Sequence, residues 1–315
     1  MPTSVVTGGA GFLGSHLCEY LLGKGYRVLC VDNLESSSLE NLEHLRDDAF
    51  AFLNHDMVDH LEVDEPVDVV YHLAALASPI DYLRQPLHSL KVGSYGTHHA
   101  LGLSKWKRAR FLLFSTSEVY GDPLVHPQPE SYLGNVSSIG PRSCYDESKR
   151  FSEAITMAYH RVHGLDVRIA RIFNTYGERM RPDDGRVVNT LAVQALRGEP
   201  ITLHGDGRQT RSFCHVADEI IGLAAVLDGH LIGPVNVGNP DEFTIRELAQ
   251  LIVELTKSSS EIVMVPLPPE REGDPARRCP DIGLISSTYG WRATIGLAEG
   301  LTRMIEWFGT AEGIA

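Results

Sequence analysis

The sequence lacks the features that membrane-spanning, secreted and nucleic-acid-binding proteins need. No apolar run in its 315 residues approaches the roughly 20 residues that cross a bilayer as a helix. Its 28 basic residues are outnumbered by 41 acidic ones, and the formal charge of −13 repels nucleic acid. The first residues, MPTSVVTGG, show no basic segment followed by an apolar one, which argues against secretion. We therefore expect a cytoplasmic protein with no nucleic-acid or membrane partner.

The sequence also lacks the spacing of cysteine and histidine that marks a metal site. Its five cysteines, an odd number, are scattered along the chain as Cys18, Cys30, Cys144, Cys214 and Cys279. The 14 histidines offer no pair that lies near an acid at zinc-ligand spacing. We therefore expect reduced thiols and no metal site.

Alternating strand and helix patterns, by contrast, are abundant. Apolar runs of strand length lie at 3–6, 27–31, 67–74, 110–115 and 167–172, and helical patterns between them include 14–24, 87–106 and 148–163. Such alternation indicates a parallel sheet that helices cover on both sides. The pattern fades after about residue 173, where segments rich in proline, glycine and arginine begin. We predict an α/β fold with a Rossmann-like doubly wound parallel sheet over 1–173, joined by part of 211–240, and a smaller C-terminal lobe over 174–315.

The segment VVTGGAGFLGSHL has the glycine spacing of a dinucleotide-binding turn. Gly9, Gly11 and Gly14 satisfy Gly-x-Gly-x-x-Gly, and Gly8 gives a second match with the last two. The segment follows a strand pattern and begins a helix pattern. Its glycines therefore allow a tight turn and bring backbone amides close to a pyrophosphate at the helix N-terminus. The segment predicts a bound dinucleotide.

Asp32 indicates which dinucleotide binds. It ends the second strand pattern, RVLCVD, 18 residues after Gly14. A carboxylate at this place accepts hydrogen bonds from the adenosine ribose hydroxyls and repels a 2′-phosphate, and the three residues that follow are not basic. NAD is therefore favoured over NADP.

Two groups of polar residues are candidates for catalysis. Thr116, Ser117 and Glu118 follow an apolar strand, and the carboxyl ends of such strands line the ligand crevice of a doubly wound sheet. Tyr145 and Lys149 are four residues apart, which puts them on one face of a helix. A nearby ammonium stabilises a phenolate and lowers the tyrosine pKa. With the glycine turn, the pair predicts a general base that takes a proton from an alcohol while NAD takes the hydride.

Three segments, TGGAGFLG, STSEVYG and YDESK, are similar to the extended short-chain dehydrogenase/reductase family, which acts mainly on nucleotide sugars. The resemblance extends over about residues 3–308. Longer stretches, among them STSEVYGDPLVHPQ, IGPRSCYDESKR, ARIFNTYGERM and RRCPDI, are similar to the UDP-glucuronate decarboxylase (UDP-xylose synthase) branch of that family. The resemblance implies an NAD-dependent lyase: sugar C4 is oxidised, carbon dioxide is lost, and the bound NADH reduces the ketone to give UDP-xylose.

The resemblance also implies roles for the catalytic candidates. Tyr145 takes the proton of the C4 hydroxyl, whose oxygen Thr116 holds. The loss of carbon dioxide needs Glu118 and an arginine beside the leaving carboxylate, for which Arg278 is favoured over Arg277. The expected catalytic set is Thr116, Ser117, Glu118, Tyr145, Lys149 and Arg278.

Ligand contacts are implied by the same resemblance. Residues expected to bind NAD are Gly8, Gly11, Phe12, Leu13, Gly14, Asp32, Asn33, Asp56, Met57, Leu73, Ala74, Tyr145 and Lys149. Residues expected to bind the UDP-sugar are Pro79, Tyr82, Lys91, Glu118, Arg142, Asn174, Val188, His204, Arg211, Arg271 and Arg278. A series of arginines between 168 and 186 is expected to add local positive charge for the diphosphate. The N-terminal domain is thus expected to bind NAD and the C-terminal lobe the nucleotide sugar.

Two positions depart from the residues that are usual in the family. Gly93 stands where an asparagine is common, and His204 stands where a tyrosine is usual near the uracil. Both positions bear on the geometry of the site. In the family, helices that correspond to 87–106 and 148–163 pair across a two-fold axis, so a homodimer through a four-helix bundle is expected.

Other functions share parts of this pattern. A nucleotide-sugar 4-epimerase needs the same Thr116, Tyr145 and Lys149. A 4,6-dehydratase places an aspartate before the glutamate, and Ser117 in that place argues against it. A regulatory protein that senses NAD with the same fold would be expected to lack the tyrosine or the lysine, and this chain has both.

Overall fold

The computed structural model describes residues 1–266, 277–311 and 313. In this part of the chain the strands are β1 (Thr3–Thr7), β2 (Arg27–Asp32), β3 (Phe50–Asn54), β4 (Val69–His72), β5 (Arg110–Thr116), β6 (Val167–Ile172), β7 (Thr175–Tyr176), β8 (Ile201–His204), β9 (Thr210–Ser212), β10 (Cys214–His215), β11 (Pro234–Val237), β12 (Glu242–Thr244), β13 (Ile262–Val265) and β14 (Arg277–Arg278). The helices are α1 (Phe12–Gly23), α2 (Pro79–Arg84), α3 (Pro86–Lys91), α4 (Thr97–Lys107), α5 (Ser143–His163), α6 (Val187–Leu196), α7 (Val216–Asp228), α8 (Ile245–Thr256), α9 (Gly283–Tyr289) and α10 (Leu297–Ala311). A π-helical turn, Val92–Gly96, joins α3 to α4, and a 3₁₀ turn, Ser117–Tyr120, follows β5.

Seven parallel strands form the central sheet, in the order β11-β6-β5-β4-β1-β2-β3. Successive residues of the inner strands, such as Val5 and Val6 in β1, are both fully buried. Because successive side chains point to opposite faces, apolar helices must cover both sides. Helices α1 and α7 pack on one face, and α4 and α5 pack on the other. The predicted doubly wound parallel sheet is confirmed. The predicted strands do not include β3, an edge strand that is only partly buried.

Two helix boundaries differ from the predictions. The pattern over 87–106 is divided by the π turn, in which Gly93 packs against Ser148 of α5. Helix α5 begins at Ser143, five residues before the predicted start. Cys144, Tyr145 and Asp146 are buried there. The first turn of α5 therefore has a buried face although its sequence is polar.

The C-terminal part builds a second apolar core from one face each of α6, α8 and α10, and Phe12 of α1 packs against both cores. Two small sheets accompany the second core: β8 with β13, and β12-β9-β14. The chain returns to the large sheet through α7 and β11, and β11 pairs with β6. Within the described ranges, no helix combines the length and the apolar character that crossing a membrane requires.

Candidate active site

A cavity of about 1040 Å³ lies at the carboxyl ends of the sheet strands, next to the second core. Residues from α6, β8 and β9 line it opposite the sheet. The expected site residues that line it are Gly8, Gly11, Phe12, Leu13, Gly14, Asp32, Asn33, Asp56, Met57, Leu73, Ala74, Pro79, Tyr82, Thr116, Ser117, Glu118, Arg142, Tyr145, Lys149, Asn174, Val188, His204, Arg211 and Arg278. The structure does not bring Lys91 to the cavity, because this residue is exposed at the end of α3. Arg271 lies outside the described residues.

The turn after β1 has space for glycine and for no larger residue at two positions. Gly8 has a φ of +72°, and a Cβ there would lie 2.8 Å from the amide nitrogen of Ala74. A Cβ at Gly14 would lie 2.2 Å from the carbonyl oxygen of Gly8. Helix α1 begins after this turn with no side-chain cap and no acidic residue in its first turn. Its N-terminal amides are therefore available to bind an anion. The turn and these amides together fit the pyrophosphate of NAD.

The ends of β2 and β3 supply the next part of the cavity. The Asp32 carboxylate is held by a hydrogen bond from the Ala10 amide at 3.0 Å. Asn33 Nδ2 donates to Asp56 Oδ2 at 3.1 Å, and Met57 beside it is buried. These residues fit an adenosine that carries no 2′-phosphate, because such a phosphate would meet the Asp32 carboxylate.

Tyr145 and Lys149 lie on the buried face of α5, beside the end of β5. Lys149 Nζ donates a hydrogen bond to the Phe114 carbonyl oxygen at 2.8 Å. The Thr116 hydroxyl lies near enough to the Tyr145 phenol to lower its pKa. The Tyr82 ring stacks on the Tyr145 ring with centroids 5.2 Å apart. The phenol and the threonine hydroxyl thus meet at one point of the cavity, as the oxidation of an alcohol requires.

Burial dominates the pKa values of the tyrosine and the lysine. It raises the pKa of Tyr145 to about 12, although the Arg186 guanidinium and the hydrogen bond with Thr116 act in the opposite direction. Burial also lowers the pKa of Lys149 to about 8. The structure therefore does not show the expected lowering of the tyrosine pKa by Lys149, and desolvation sets the direction of the shift. The positive charge that lowers the Tyr145 pKa comes from Arg186, whereas Glu118 and Asp146 raise the pKa; helical spacing could not indicate Arg186.

Glu118 lies between two guanidinium groups. Arg142 Nη2 donates to Glu118 Oε2 at 2.7 Å, and Arg278 Nη2 donates to the same oxygen at 3.2 Å. Burial acts to raise the pKa of Glu118, but Arg278, Arg142 and Arg211 together lower it to about 2. The carboxylate is therefore ionised at neutral pH.

Arg278 and Arg277 have opposite orientations in the structure. Arg278 is 1 % exposed, lines the cavity and donates to the Gly121 carbonyl oxygen at 2.9 Å. Its Nε and Nη1 atoms are buried and have no hydrogen-bond partner among the described residues. Arg277 is exposed. Two donor atoms of Arg278 therefore lack a partner within the described part of the chain.

The arginine series between 168 and 186 carries less net charge than expected, because each member pairs with a carboxylate. The pairs are Arg168 with Asp166, Arg171 with Glu153, Arg179 with Glu19, Arg181 with Asp81, and Arg186 with Asp184. Of these arginines, Arg179, Arg181 and Arg186 line the cavity. The prediction that the whole series adds a positive field is therefore wrong. Only three of its guanidinium groups lie at the cavity, and each is paired with a carboxylate.

Ser148 accounts for the glycine at position 93. A Cβ on Gly93 would lie 2.5 Å from the Ser148 Cβ. The Ser148 hydroxyl donates to the Tyr145 carbonyl oxygen at 2.7 Å. The serine thus fills the space beside Gly93 and contacts the backbone of the catalytic candidate, a long-range contact that sequence spacing does not reveal.

Comparison with known proteins defines first the class and then the family. Residues 5–304 match the family model described as GDP-mannose 4,6 dehydratase, so the chain belongs to the extended short-chain dehydrogenase/reductase class. UDP-glucuronic acid decarboxylase 6 of Arabidopsis thaliana is 50 % identical over 312 residues, which are 98 % of this chain and 90 % of that protein. The chain therefore belongs to the UDP-glucuronic acid decarboxylase family.

Solved structures with the same architecture are more distant in sequence. A UDP-glucuronic acid 4-epimerase from Bacillus cereus, in complex with UDP-glucuronic acid and NAD, is 28 % identical with a TM-score of 0.87, and the match covers 98 % of this chain and 99 % of that one. A dTDP-glucose 4,6-dehydratase from Streptomyces venezuelae with NAD bound is 29 % identical with a TM-score of 0.88, covering 99 % and 98 %. The predicted fold class and family are confirmed.

Proposed function

We propose that the protein decarboxylates UDP-glucuronate to UDP-xylose with NAD as its cofactor. The observation that carries the proposal is the Glu118, Arg142 and Arg278 cluster beside Tyr145 and Thr116, in a chain half identical to decarboxylases over nearly all its length. An epimerase of UDP-glucuronate also needs a contact to the substrate carboxylate. The higher identity to decarboxylases, 50 % against 28 %, therefore favours decarboxylation.

The glycine turn and the β2 end are proposed to hold the cofactor. The amides at the start of α1 bind the pyrophosphate, and Asp32 accepts hydrogen bonds from the adenosine ribose. Lys149, fixed at the Phe114 carbonyl oxygen, binds the nicotinamide ribose. When bound, NAD accepts a hydride from sugar C4 and returns it at the end of the reaction.

Tyr145 takes the proton of the C4 hydroxyl, and Thr116 donates a hydrogen bond to the same oxygen. Because burial raises the pKa of Tyr145 to about 12 in the free protein, its phenolate depends on nearby positive charge. The Arg186 guanidinium and the protonated form of Lys149 supply that charge. In the last step Tyr145 returns its proton to the C4 oxygen.

Arg278 holds the carboxylate that leaves. A carboxylate β to the new C4 ketone departs as carbon dioxide because the ketone oxygen accepts the electron pair of the breaking bond. The Thr116 and Tyr145 hydroxyls donate to this oxygen as its negative charge develops. The free Nε and Nη1 of Arg278 suit a carboxylate, and ionised Glu118 fixes the arginine from its other side. A proton added at C5 completes the replacement of the carboxylate by hydrogen.

The UDP part is proposed to lie along the opposite wall of the cavity. Arg211 contacts the diphosphate, and the apolar Val188 and the ring of His204 lie beside the nucleoside. All three residues line the cavity. On this arrangement, residues 1–173 with α7 and β11 form the NAD-binding domain, and the remainder of 174–315 forms the nucleotide-sugar lobe, each with its own apolar core.

Incubation of the purified protein with UDP-glucuronate and catalytic NAD tests the proposal. Carbon dioxide and a UDP-pentose should form in equal amounts without added reductant, as measured by trapped gas and by mass spectrometry. UDP-glucose, which has no carboxylate, is the control and should release no gas. Formation of an isomeric UDP-uronate without carbon dioxide would identify a 4-epimerase instead.

A homodimer through α3, α4 and α5 is proposed as the assembly. Large apolar side chains are exposed on α3 and α5 (Leu87, Phe151 and Val162) and on the π turn between α3 and α4 (Tyr95), and exposed apolar side chains that cluster mark an interaction surface. Phe151 and Val162 are three helical turns apart and so share one side of α5. Solution scattering should give the mass of two chains for the wild type and of one chain for a Leu87→Glu/Phe151→Glu variant. A monomeric wild type would refute the assembly.

A further inference from the structure

A cluster of metal-ligating side chains lies outside the cavity. His126, Glu242 and Cys279 each offer one ligand atom, and these atoms all lie within 4.8 Å of one another. They come from three segments: the loop after the 3₁₀ turn, the first residue of β12, and the residue after β14. The first two are 116 residues apart in sequence. Ligand spacing along the chain therefore could not indicate the cluster.

We propose that His126, Glu242 and Cys279 bind one divalent transition-metal ion of the zinc type. Imidazole nitrogen, thiolate sulfur and carboxylate oxygen are the donors that zinc takes in proteins. Three protein ligands leave the fourth tetrahedral position to a water molecule. The active-site chemistry uses none of these three side chains, and none of them lines the cavity.

The distances in the cluster are close to those of a tetrahedral site. His126 Nε2 lies 2.8 Å from Glu242 Oε2. Ligand atoms on one zinc ion lie about 3.3–3.6 Å apart, given zinc–ligand distances of about 2.0–2.3 Å. The ion therefore replaces the hydrogen bond between the imidazole and the carboxylate, which separate by about 0.5 Å, and the sulfur already lies within 4.8 Å of both atoms.

Hydrogen bonds already hold the ligands in place. Gln128 is fully buried and joins the His126 segment to Cys279. The Gln128 side-chain oxygen accepts a hydrogen bond from the Cys279 backbone amide at 3.0 Å. The Gln128 backbone amide donates to the Cys279 carbonyl oxygen at 2.9 Å. Glu242 Oε1 accepts from the Thr210 hydroxyl at 2.7 Å, and Oε2 is the oxygen near His126. Outer hydrogen bonds that orient the ligands are a property of metal sites.

Local charge also favours a cation. Asp241 and Asp281 lie near enough to the Cys279 thiol to act on it electrostatically together with Glu242, and Arg277 is the opposing positive charge. Three carboxylates against one guanidinium give a negative environment. A bound divalent ion would offset this negative charge.

Titration of the metal-free protein with Co²⁺, followed by absorption, tests the site. The expected result is a near-ultraviolet thiolate-to-cobalt band, with the visible bands of tetrahedral Co²⁺, that saturates at one ion per chain and disappears when Zn²⁺ is added. Cys279→Ser should remove the charge-transfer band. Glu242→Gln should keep the thiolate band but weaken Co²⁺ binding by more than the roughly 10- to 100-fold that loss of an outer-shell partner causes, because a direct ligand is replaced.

Cys144→Ser is the matched control, because it removes a different buried thiol and leaves the cluster intact. Circular dichroism of each variant establishes that it is folded before titration. A wild-type protein without a thiolate–cobalt band overturns the proposal. So does a Cys279→Ser protein that keeps the band, or a folded Glu242→Gln protein that binds Co²⁺ as tightly as the wild type.

Discussion

Replacement of Gly93 by alanine should destabilise the protein, because Ser148 already fills the space beside it. The added Cβ would lie 2.5 Å from the Ser148 Cβ, 2.8 Å from its Oγ and 3.2 Å from its backbone oxygen. Packed carbon atoms lie about 3.5–4.0 Å apart. The π turn and α5 must therefore separate by about 1 Å at a place where both residues are buried.

The expected change in the free energy of unfolding has two sources: the overpacking at Gly93, and the contacts that each single substitution removes. Insertion of a methyl group into a packed core costs about 1–3 kcal/mol. Ser148→Gly relieves the contact, but it loses the hydrogen bond to the Tyr145 carbonyl oxygen and places glycine inside a helix, at a cost of roughly 0.5–1 kcal/mol. In the double variant the new methyl group meets no side chain at position 148. We expect the double variant to be about 1–2 kcal/mol more stable than the sum of the single changes predicts.

Urea unfolding of the wild type, the two single variants and the double variant measures this coupling. Gly102→Ala is the matched control, because Gly102 lies inside α4 and a Cβ there meets nothing within 4 Å. The control should be as stable as the wild type or up to about 1 kcal/mol more stable, since alanine favours helix. Additive single effects, or a Gly93→Ala protein as stable as the control, would refute the argument from the Ser148 contact.

Three further predictions concern the active site. Tyr145→Phe should bind NAD like the wild type in calorimetry and lose about 10²–10⁴-fold in turnover, because a general base is removed; unchanged turnover would exclude Tyr145 from proton transfer. Arg278→Met should abolish carbon dioxide release while exposed Arg277→Met retains it, and equal losses would contradict the different orientations of the two arginines. Burial lowers the pKa of Lys149 from 10.5 to about 8, so between these values the unfolded state binds more protons and the folded state gains stability as pH rises. Relative to Lys149→Met, the wild type should gain up to about 1.4 kcal/mol per pH unit in urea unfolding above about pH 8, and a constant difference would argue against a buried ammonium.

The sequence predicts those strands in which most successive residues are buried. The strands β1, β2, β4, β5 and β6 lie inside a parallel sheet, so both faces of each strand are largely buried and apolar residues dominate their sequences, although Arg168 and Arg171 interrupt β6. The edge strand β3, which is not among the predicted strands, is only partly buried. The break between α3 and α4 depends on a contact between Gly93 and Ser148. A helical pattern in the sequence does not indicate which side chains of other elements pack against the helix.

The same distinction between local and long-range contacts applies to the site. The glycine turn and the Tyr145–Lys149 pair are local in sequence, so spacing and motif predict them. The state of Glu118 depends on Arg142 and on Arg278, which is 160 residues away. The pKa of Tyr145 depends on burial and on Arg186. Spacing predicts which groups are present, whereas their protonation follows from the tertiary structure that desolvates and surrounds them.

The short strand β14 connects the active site to the proposed metal site. It pairs with β9 in a register that sets Arg278 beside Arg211, and both arginines line the cavity and act on Glu118. Because successive residues of an extended chain point to opposite sides, Cys279 turns away from the cavity towards His126 and Glu242. A slip of one residue would bring Arg277 and Cys279 into the cavity and remove the guanidinium that we propose holds the substrate carboxylate. Contacts that hold Cys279 therefore also hold the register of Arg278, so an ion in the cluster would stabilise the arrangement on which decarboxylation depends.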